Sequence, residues 1–290
     1  MTKINARTVS SRALLRYDTV GRYKNLNRGG SVRSIDRHVL TAALLCCATL
    51  FAFVENAEAQ TDEIQVYDAE ITEPGKWNLT WHNNYIVSGS ETPEFPGGIV
   101  PHHSLTGVPE WAYGVTDWFE AGFYFPVYTI ANGGHYFFDS AKLRALFVVP
   151  HAHERSFFYG VNFELSHNMR KWDPAEFTAE IRPIIGWRYR SFDFIINPIL
   201  DTSFDGLDEM IFAPAVRLAY NSSERWAFSL EHYAEFGPVK NFLPHEEQQH
   251  KLFAVVNYNG APLSLEFGIG KGLTDATDST TIKFMVIYDF

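Results

Sequence analysis

Along most of this chain, apolar and aromatic residues recur at every second position in short stretches. After Ala59 none of the apolar runs is long enough for a membrane-spanning helix. In 177–189 one set is Phe177, Ala179, Ile181, Pro183, Ile185, Trp187 and Tyr189, and the other is Thr178, Glu180, Arg182, Ile184, Gly186 and Arg188. In 156–167, Phe157, Tyr159, Val161, Phe163 and Leu165 oppose Phe158, Gly160, Asn162, Glu164 and Ser166. In 262–271, Leu263, Leu265, Phe267 and Ile269 oppose Ser264, Glu266, Gly268 and Gly270. A period of two marks strands with one greasy face. The pattern predicts twelve strands, at 76–88, 103–115, 118–128, 141–150, 156–167, 177–189, 192–202, 210–220, 226–237, 248–258, 262–271 and 280–290. Each is near the roughly 9–11 residues that a tilted strand needs to cross a bilayer. A charge on a lipid face costs roughly 2–4 kcal/mol at mid-bilayer, which explains the sorting if the greasy face meets lipid. The slightly negative mean hydropathy is no objection, because half of every barrel strand faces a polar interior.

The connections carry independent information. Long ones are expected at 89–102, 129–140, 168–176, 203–209, 238–247 and 272–279, and short ones at Thr116-Asp117, His151 to Arg155, Arg190-Ser191, Asn221 to Arg225 and Asn259 to Ala261. Membrane barrels place short turns on the periplasmic side and longer loops outside, so the expected fold is all-β, a single closed antiparallel transmembrane barrel of about twelve strands over 76–290. Trp77, Trp111, Trp118, Phe119, Trp187, Tyr189, Tyr220, Trp226, Tyr258 and Tyr288 gather at strand ends, as an interfacial girdle requires.

The N-terminal part changes the picture of location. Arg37 and His38 precede an apolar run, 39–54, followed by Ala57 and Ala59 in an Ala-x-Ala arrangement. A basic flank, a short apolar core and small residues predict a signal peptide cut after Ala59. Residues 1–59 are thus a basic extension plus signal, and 60–75 a periplasmic lead-in. Asp62 to Tyr67 resembles a TonB-binding segment, but the chain is far too short for a plugged 22-strand transporter. Beyond the cut 15 basic and 30 acidic residues remain, a net charge near −15, which argues against nucleic acid as a partner. Cys46 and Cys47 both fall in the signal, so no disulfide or cysteine metal site is expected.

Two segments resemble known proteins. The last strand alternates Ile282, Phe284, Val286, Tyr288 and Phe290 and stops on the aromatic. It resembles the terminal strand of bacterial outer-membrane barrels, which implies that Phe284, Val286, Tyr288 and Phe290 are read by the barrel-assembly machinery. The hairpin from Tyr113 to Gly122 (YGVTDWFEAG), followed by Pro126, resembles one in outer-membrane barrels of the transporter type, grouped with the MetA-pathway phenol-degradation family. Its Thr-Asp pair has side chains that bond nearby backbone and stabilise a tight reversal. The resemblance implies passage of small solutes across the outer membrane and brings no catalytic residues.

Function then rests on the interior. The expected inward bases are Lys142, Arg144, Arg182, Arg188 and Arg217, and the inward acids Glu120, Glu164, Glu231, Glu235 and Glu266. Their strand positions predict bases on one wall and acids on another, with a field across a narrow open pore. The contrary expectation is that these charges pair and fill the barrel. Acidic outer loops suit lipopolysaccharide neighbours bridged by divalent cations, or attract cationic solutes to the mouth. His102-His103, His135 and His151-x-His153 lack a third ligand at metal-site spacing, and no cofactor is expected. An outer-membrane lipid hydrolase or deacylase would need a Ser–His pair, and Ser166-His167-Asn168 is the one suggestive cluster. Neighbours on a strand point to opposite faces, which disfavours that pair. A closed structural barrel without transport completes the alternatives.

Overall fold

The computed structural model describes residues 63–290. The basic extension, the signal peptide and the Ala57 and Ala59 cleavage site lie outside the described residues. Twelve antiparallel strands close into one barrel. They are β1 (Trp77–Ser88), β2 (Leu105–Gly114), β3 (Phe119–Ile130), β4 (Tyr136–Val148), β5 (Phe157–Asn168) and β6 (Phe177–Tyr189). β7 runs in two pieces, Phe192–Asn197 and Leu200–Thr202, and β8 likewise, Ile211–Phe212 and Ala215–Asn221. β9 (Trp226–Glu235), β10 (Gln249–Tyr258), β11 (Leu263–Gly272) and β12 (Thr280–Asp289) complete it.

The breaks in β7 and β8 fall at Pro198 and Pro214, each of which lacks the amide that a ladder needs. Each strand pairs with its chain neighbour, and β12 closes on β1 from Asn78↔Asp289 to Ser88↔Thr280. Closure leaves no sheet edge. Among the described residues the only helical pieces are two single 3₁₀ turns, Ala152–Glu154 and Leu207–Glu209.

One part of the expected loop alternation fails. The connection placed at 129–140 shrinks to 131–135, because β3 and β4 stay paired out to Ile130↔Tyr136. The turn expected at His151 to Arg155 widens to 149–156 and holds the first 3₁₀ turn. Elsewhere the long and short connections alternate, so the barrel has a long-loop rim and a short-turn rim.

The greasy face points outward. Leu143, Phe163, Leu165, Phe228, Leu230, Phe267 and Ile269 are exposed on the outer wall, while their chain neighbours Arg144, Glu164, Ser166, Ser229, Glu231 and Glu266 are buried inside. At the short-turn rim the aromatics touch along the circumference: Trp77 with Tyr113, Trp118 with Phe119 and Phe147, Phe157 with Trp187, Phe192 with Tyr220, and Trp226 with Tyr258. Phe290 joins this ring through Trp111 and Tyr288.

The segment before β1 does not hang below the barrel as a lead-in would. From the short-turn rim it turns upward into the lumen. Gly75 and Gly114 exchange contacts at the entry, where Gly75 N–H donates to the Gly114 carbonyl at 2.8 Å. A Cβ on Gly114 would collide with the Thr72 and Glu73 carbonyls, so only glycine admits the segment so close to β2. Val66, Tyr67 and Ala69 then pack against Leu146 and Val148 of β4, Phe158 of β5, Ile184 of β6 and Ile195 of β7.

Candidate functional site

All ten charges expected in the lumen lie on the inner wall, and eight of them meet as four clusters. Arg144 of β4 pairs with both Glu110 of β2 and Glu120 of β3. His82 of β1 approaches the same Glu110, Nε2 to Oε2 at 3.0 Å. Lys142 lies 3.7 Å from Glu164 of β5, whose Oε1 also accepts from Asn162 at 2.9 Å and Tyr124 at 3.2 Å. Arg182 of β6 holds Glu180 through two bonds of 2.6 and 2.8 Å. Lys283 of β12 sits 2.6 Å from Glu231 of β9 and 2.6 Å from Glu266 of β11, while Arg217 of β8 lies 3.6 Å from Glu231.

The other two lie apart from these clusters. Arg188 donates to the Ala152 carbonyl at 2.6 Å near the short-turn rim, with its guanidinium 4.0 Å from the Phe158 ring centroid. Glu235 lines the large cavity described below.

This arrangement corrects the expectation of a basic wall facing an acidic one. Bases on β4, β6, β8 and β12 interleave with acids on β2, β3, β5, β9 and β11, so positive and negative groups neutralise each other locally around the circumference. Burial explains why: a charge taken out of water is costly unless a partner is in hydrogen-bond reach. Glu110, His82 and Lys283 had not been expected as lumen residues. Each sits between outward neighbours, and Lys283 between Ile282 and Phe284 was legible from alternation alone.

The N-terminal segment ties into the same clusters. The Arg182 Nη1 donates to Glu63 at 3.1 Å and to the Gln65 carbonyl at 3.3 Å. Lys283 Nζ donates to the Ile64 carbonyl at 3.1 Å. The Asn197 side chain of β7 meets both backbone groups of Tyr67, accepting its N–H at 2.7 Å and donating to its carbonyl at 3.0 Å. That amide does the work of a missing strand partner, since a buried backbone polar group left unpaired is costly. The Tyr67 hydroxyl meets the Tyr124 hydroxyl at 2.6 Å, and Thr72 N–H donates to Glu120. Residues 63–72 therefore cross the interior with polar anchors on β3, β6, β7 and β12.

Above this segment, toward the long-loop rim, lies a cavity of about 600 Å³. Glu63, Ile64 and Gln65 contribute to its floor, and Phe95, Trp172, Pro238 and Leu243 line it near the loops. Ser166 faces inward and is buried, whereas His167 is exposed, 3.5 Å from Glu176 and packed edge-on against Phe177. The Ser–His pair that a hydrolase needs is not assembled there.

No protein-family profile matches the sequence, and no curated protein matches it. Solved structures do match in fold. An outer membrane channel from Pseudomonas putida F1 aligns with a TM-score of 0.52 at 10% identity, covering 79% of this chain and 100% of that one. The KdgM porin aligns at 0.49 with 8% identity, 73% and 99% covered, and the NanC porin at 0.48 with 8% identity, 74% and 98% covered. The similarity is one of fold, that of outer-membrane β-barrels, and does not by itself place the chain in the phenol-degradation family suggested by the Tyr113 to Gly122 hairpin.

Proposed function

We propose that this protein is an outer-membrane channel for small solutes whose pore is occupied at rest by its own residues 63–72. The carrying observation is that the segment crosses the lumen, held by polar contacts to Arg182, Lys283, Asn197, Tyr124 and Glu120 and by packing of Val66, Tyr67 and Ala69 in an apolar cluster with the barrel wall. Each neutral polar anchor contributes only about 0.5–1.5 kcal/mol net, because water can take its place when the segment leaves. A barrel of this strand number lies between the eight-stranded kind filled by side chains and the wide porins. The resemblance of the Tyr113 to Gly122 hairpin to transporter-type barrels supports the same reading.

In this reading both ends of the chain's barrel lie at the periplasmic rim, lipid and lipopolysaccharide surround the outer wall, and the assembly machinery reads Phe284, Val286, Tyr288 and Phe290. The solute enters from the long-loop side. A planar-bilayer recording tests it, comparing the chain beginning at Gln60 with one beginning at Thr72. The shortened barrel is expected to conduct more per channel and with fewer closures. Equal conductance would refute the plug. Silence from both folded proteins would favour the closed structural barrel instead.

A further inference from the structure

The cavity above the segment has a chemistry that the plug does not require. Eight carboxylates and three basic side chains line it. Glu63 is in its floor, Glu164, Glu180 and Asp201 are in the walls of β5, β6 and β7, and Glu235 is in β9. Glu94, Asp173 and Glu209 come from the long loops. The bases are Lys142, Arg182 and Lys251, and each already faces a carboxylate: Lys142 with Glu164, Arg182 with Glu63 and Glu180, and Lys251 with Asp278 at 3.8 Å. One guanidinium thus serves two acids. Glu63 is only 6% exposed, and among the described residues its Oε2 has no hydrogen-bond partner.

A buried carboxylate oxygen with nothing to accept is a place for a donor. Low-dielectric walls of one sign focus the field and concentrate counter-ions. A point metal ion does not fit, because among the described residues no three His, Cys, Asp or Glu side chains converge on one position. The acids are spread instead around several strands and from floor to rim. Charges so distributed suit a flexible cation with several ammonium groups along a chain. Phe95, Tyr233 and Leu243 among the lining residues are partly exposed and offer apolar surface for its methylene links.

We propose that this cavity is a binding site for linear aliphatic polyamines, with Glu63 in the floor accepting the leading ammonium. The site rests on the channel reading only for its biological use; the binding itself needs neither transport nor plug release.

The test is a titration of the folded protein in detergent with spermidine, read by tryptophan fluorescence and by calorimetry, with citrate and maltotriose as anionic and neutral controls. Spermidine is expected to bind saturably, more tightly than putrescine and more weakly as salt rises. The double variant Glu63→Gln with Asp201→Asn is expected to lose about tenfold or more in affinity, the scale of lost charge-assisted hydrogen bonds. Heat-modifiable migration checks that the variant is folded, and Asp201→Asn alone serves if the double variant fails that check. The proposal is overturned if spermidine gives no saturable signal, if citrate or maltotriose binds as well, or if the folded variants bind spermidine like the parent. Spermidine binding to a barrel that never conducts would sink the channel reading and leave this site standing. Conduction without spermidine binding would do the reverse.

Discussion

Lys283→Met removes a single ammonium from the lumen and should be among the most damaging changes in the barrel. Lys283 is fully buried, with Glu231 and Glu266 each 2.6 Å away. Without it two carboxylates lose their nearest cation. Neither is stripped bare: Glu231 keeps Arg217 at 3.6 Å and the Tyr233 hydroxyl at 2.6 Å, and Glu266 keeps the Asn257 amide at 2.6 Å. Breaking a buried ion pair costs about 3–5 kcal/mol, and the surviving partners place this case at about 3 rather than above 5. The triple variant Lys283→Met, Glu231→Gln, Glu266→Gln removes the charge imbalance as well. Its loss should be about 1 kcal/mol, because a neutral replacement of a whole buried network is often near-neutral. The assay is reversible unfolding in denaturant from lipid vesicles, followed by tryptophan fluorescence. If Lys283→Met lies within about 1 kcal/mol of the parent, the cluster is solvated and the burial argument fails. If the triple variant is as unstable as the single one, the loss comes from packing and not from charge. A second readout follows from the Ile64 carbonyl, which loses its donor in Lys283→Met. The single variant should therefore also show more frequent channel openings.

Other changes probe packing and assembly. A Cβ on Gly186 of β6 would run into the ring of Phe158, its cross-strand partner on β5, so Gly186→Ala should cost about 1–3 kcal/mol as overpacking, and adding Phe158→Leu should recover most of it in the same unfolding assay. Deleting Phe290 removes its ring contacts with Trp111 and Tyr288 and its N–H bond to the Trp77 carbonyl at 3.0 Å, at the seam between β12 and β1. Its loss should slow the appearance of the heat-modifiable folded band more than it lowers final stability, and an unchanged folding rate would contradict that seam role.

The wall of this barrel was legible in the sequence because a two-residue period is local. Whether Leu143 and Arg144 face opposite ways is decided by their adjacency alone, and the structure exposes the first and buries the second. The interior was less legible because its partners are remote. Asn197 serves the backbone of Tyr67 from 130 residues away, and Lys283 reaches Ile64 from 219. No pattern within either segment announces such a pairing. Residues 63–72 hold only a short apolar pattern, Ile64, Val66, Tyr67, Ala69 and Ile71, too brief to distinguish a tail from a plug. Strand limits at Pro198 and Pro214 and the tightened turn at 131–135 depend on where the ladder runs out, which is a property of two strands together.

The lumenal segment and the charge clusters have a common cause. Twelve strands enclose more space than inward side chains fill on their own, and an interior that is neither filled nor wet leaves its polar groups unsatisfied. Here the chain supplies its own filling at one level and leaves a cavity at the next. At the level of Val66 to Ala69 the filling is apolar, against Leu146, Phe158, Ile184 and Ile195. At the level of Glu63 to Gln65 it is polar, and the same carbonyls that strands would use in a sheet accept from Arg182 and Lys283 instead. Barrel closure depends on the β12–β1 ladder, whereas the segment depends on side chains that a displaced plug would leave paired with one another: Arg182 with Glu180, and Lys283 with Glu231 and Glu266. Release of residues 63–72 would therefore strand few charges and would leave the barrel wall intact.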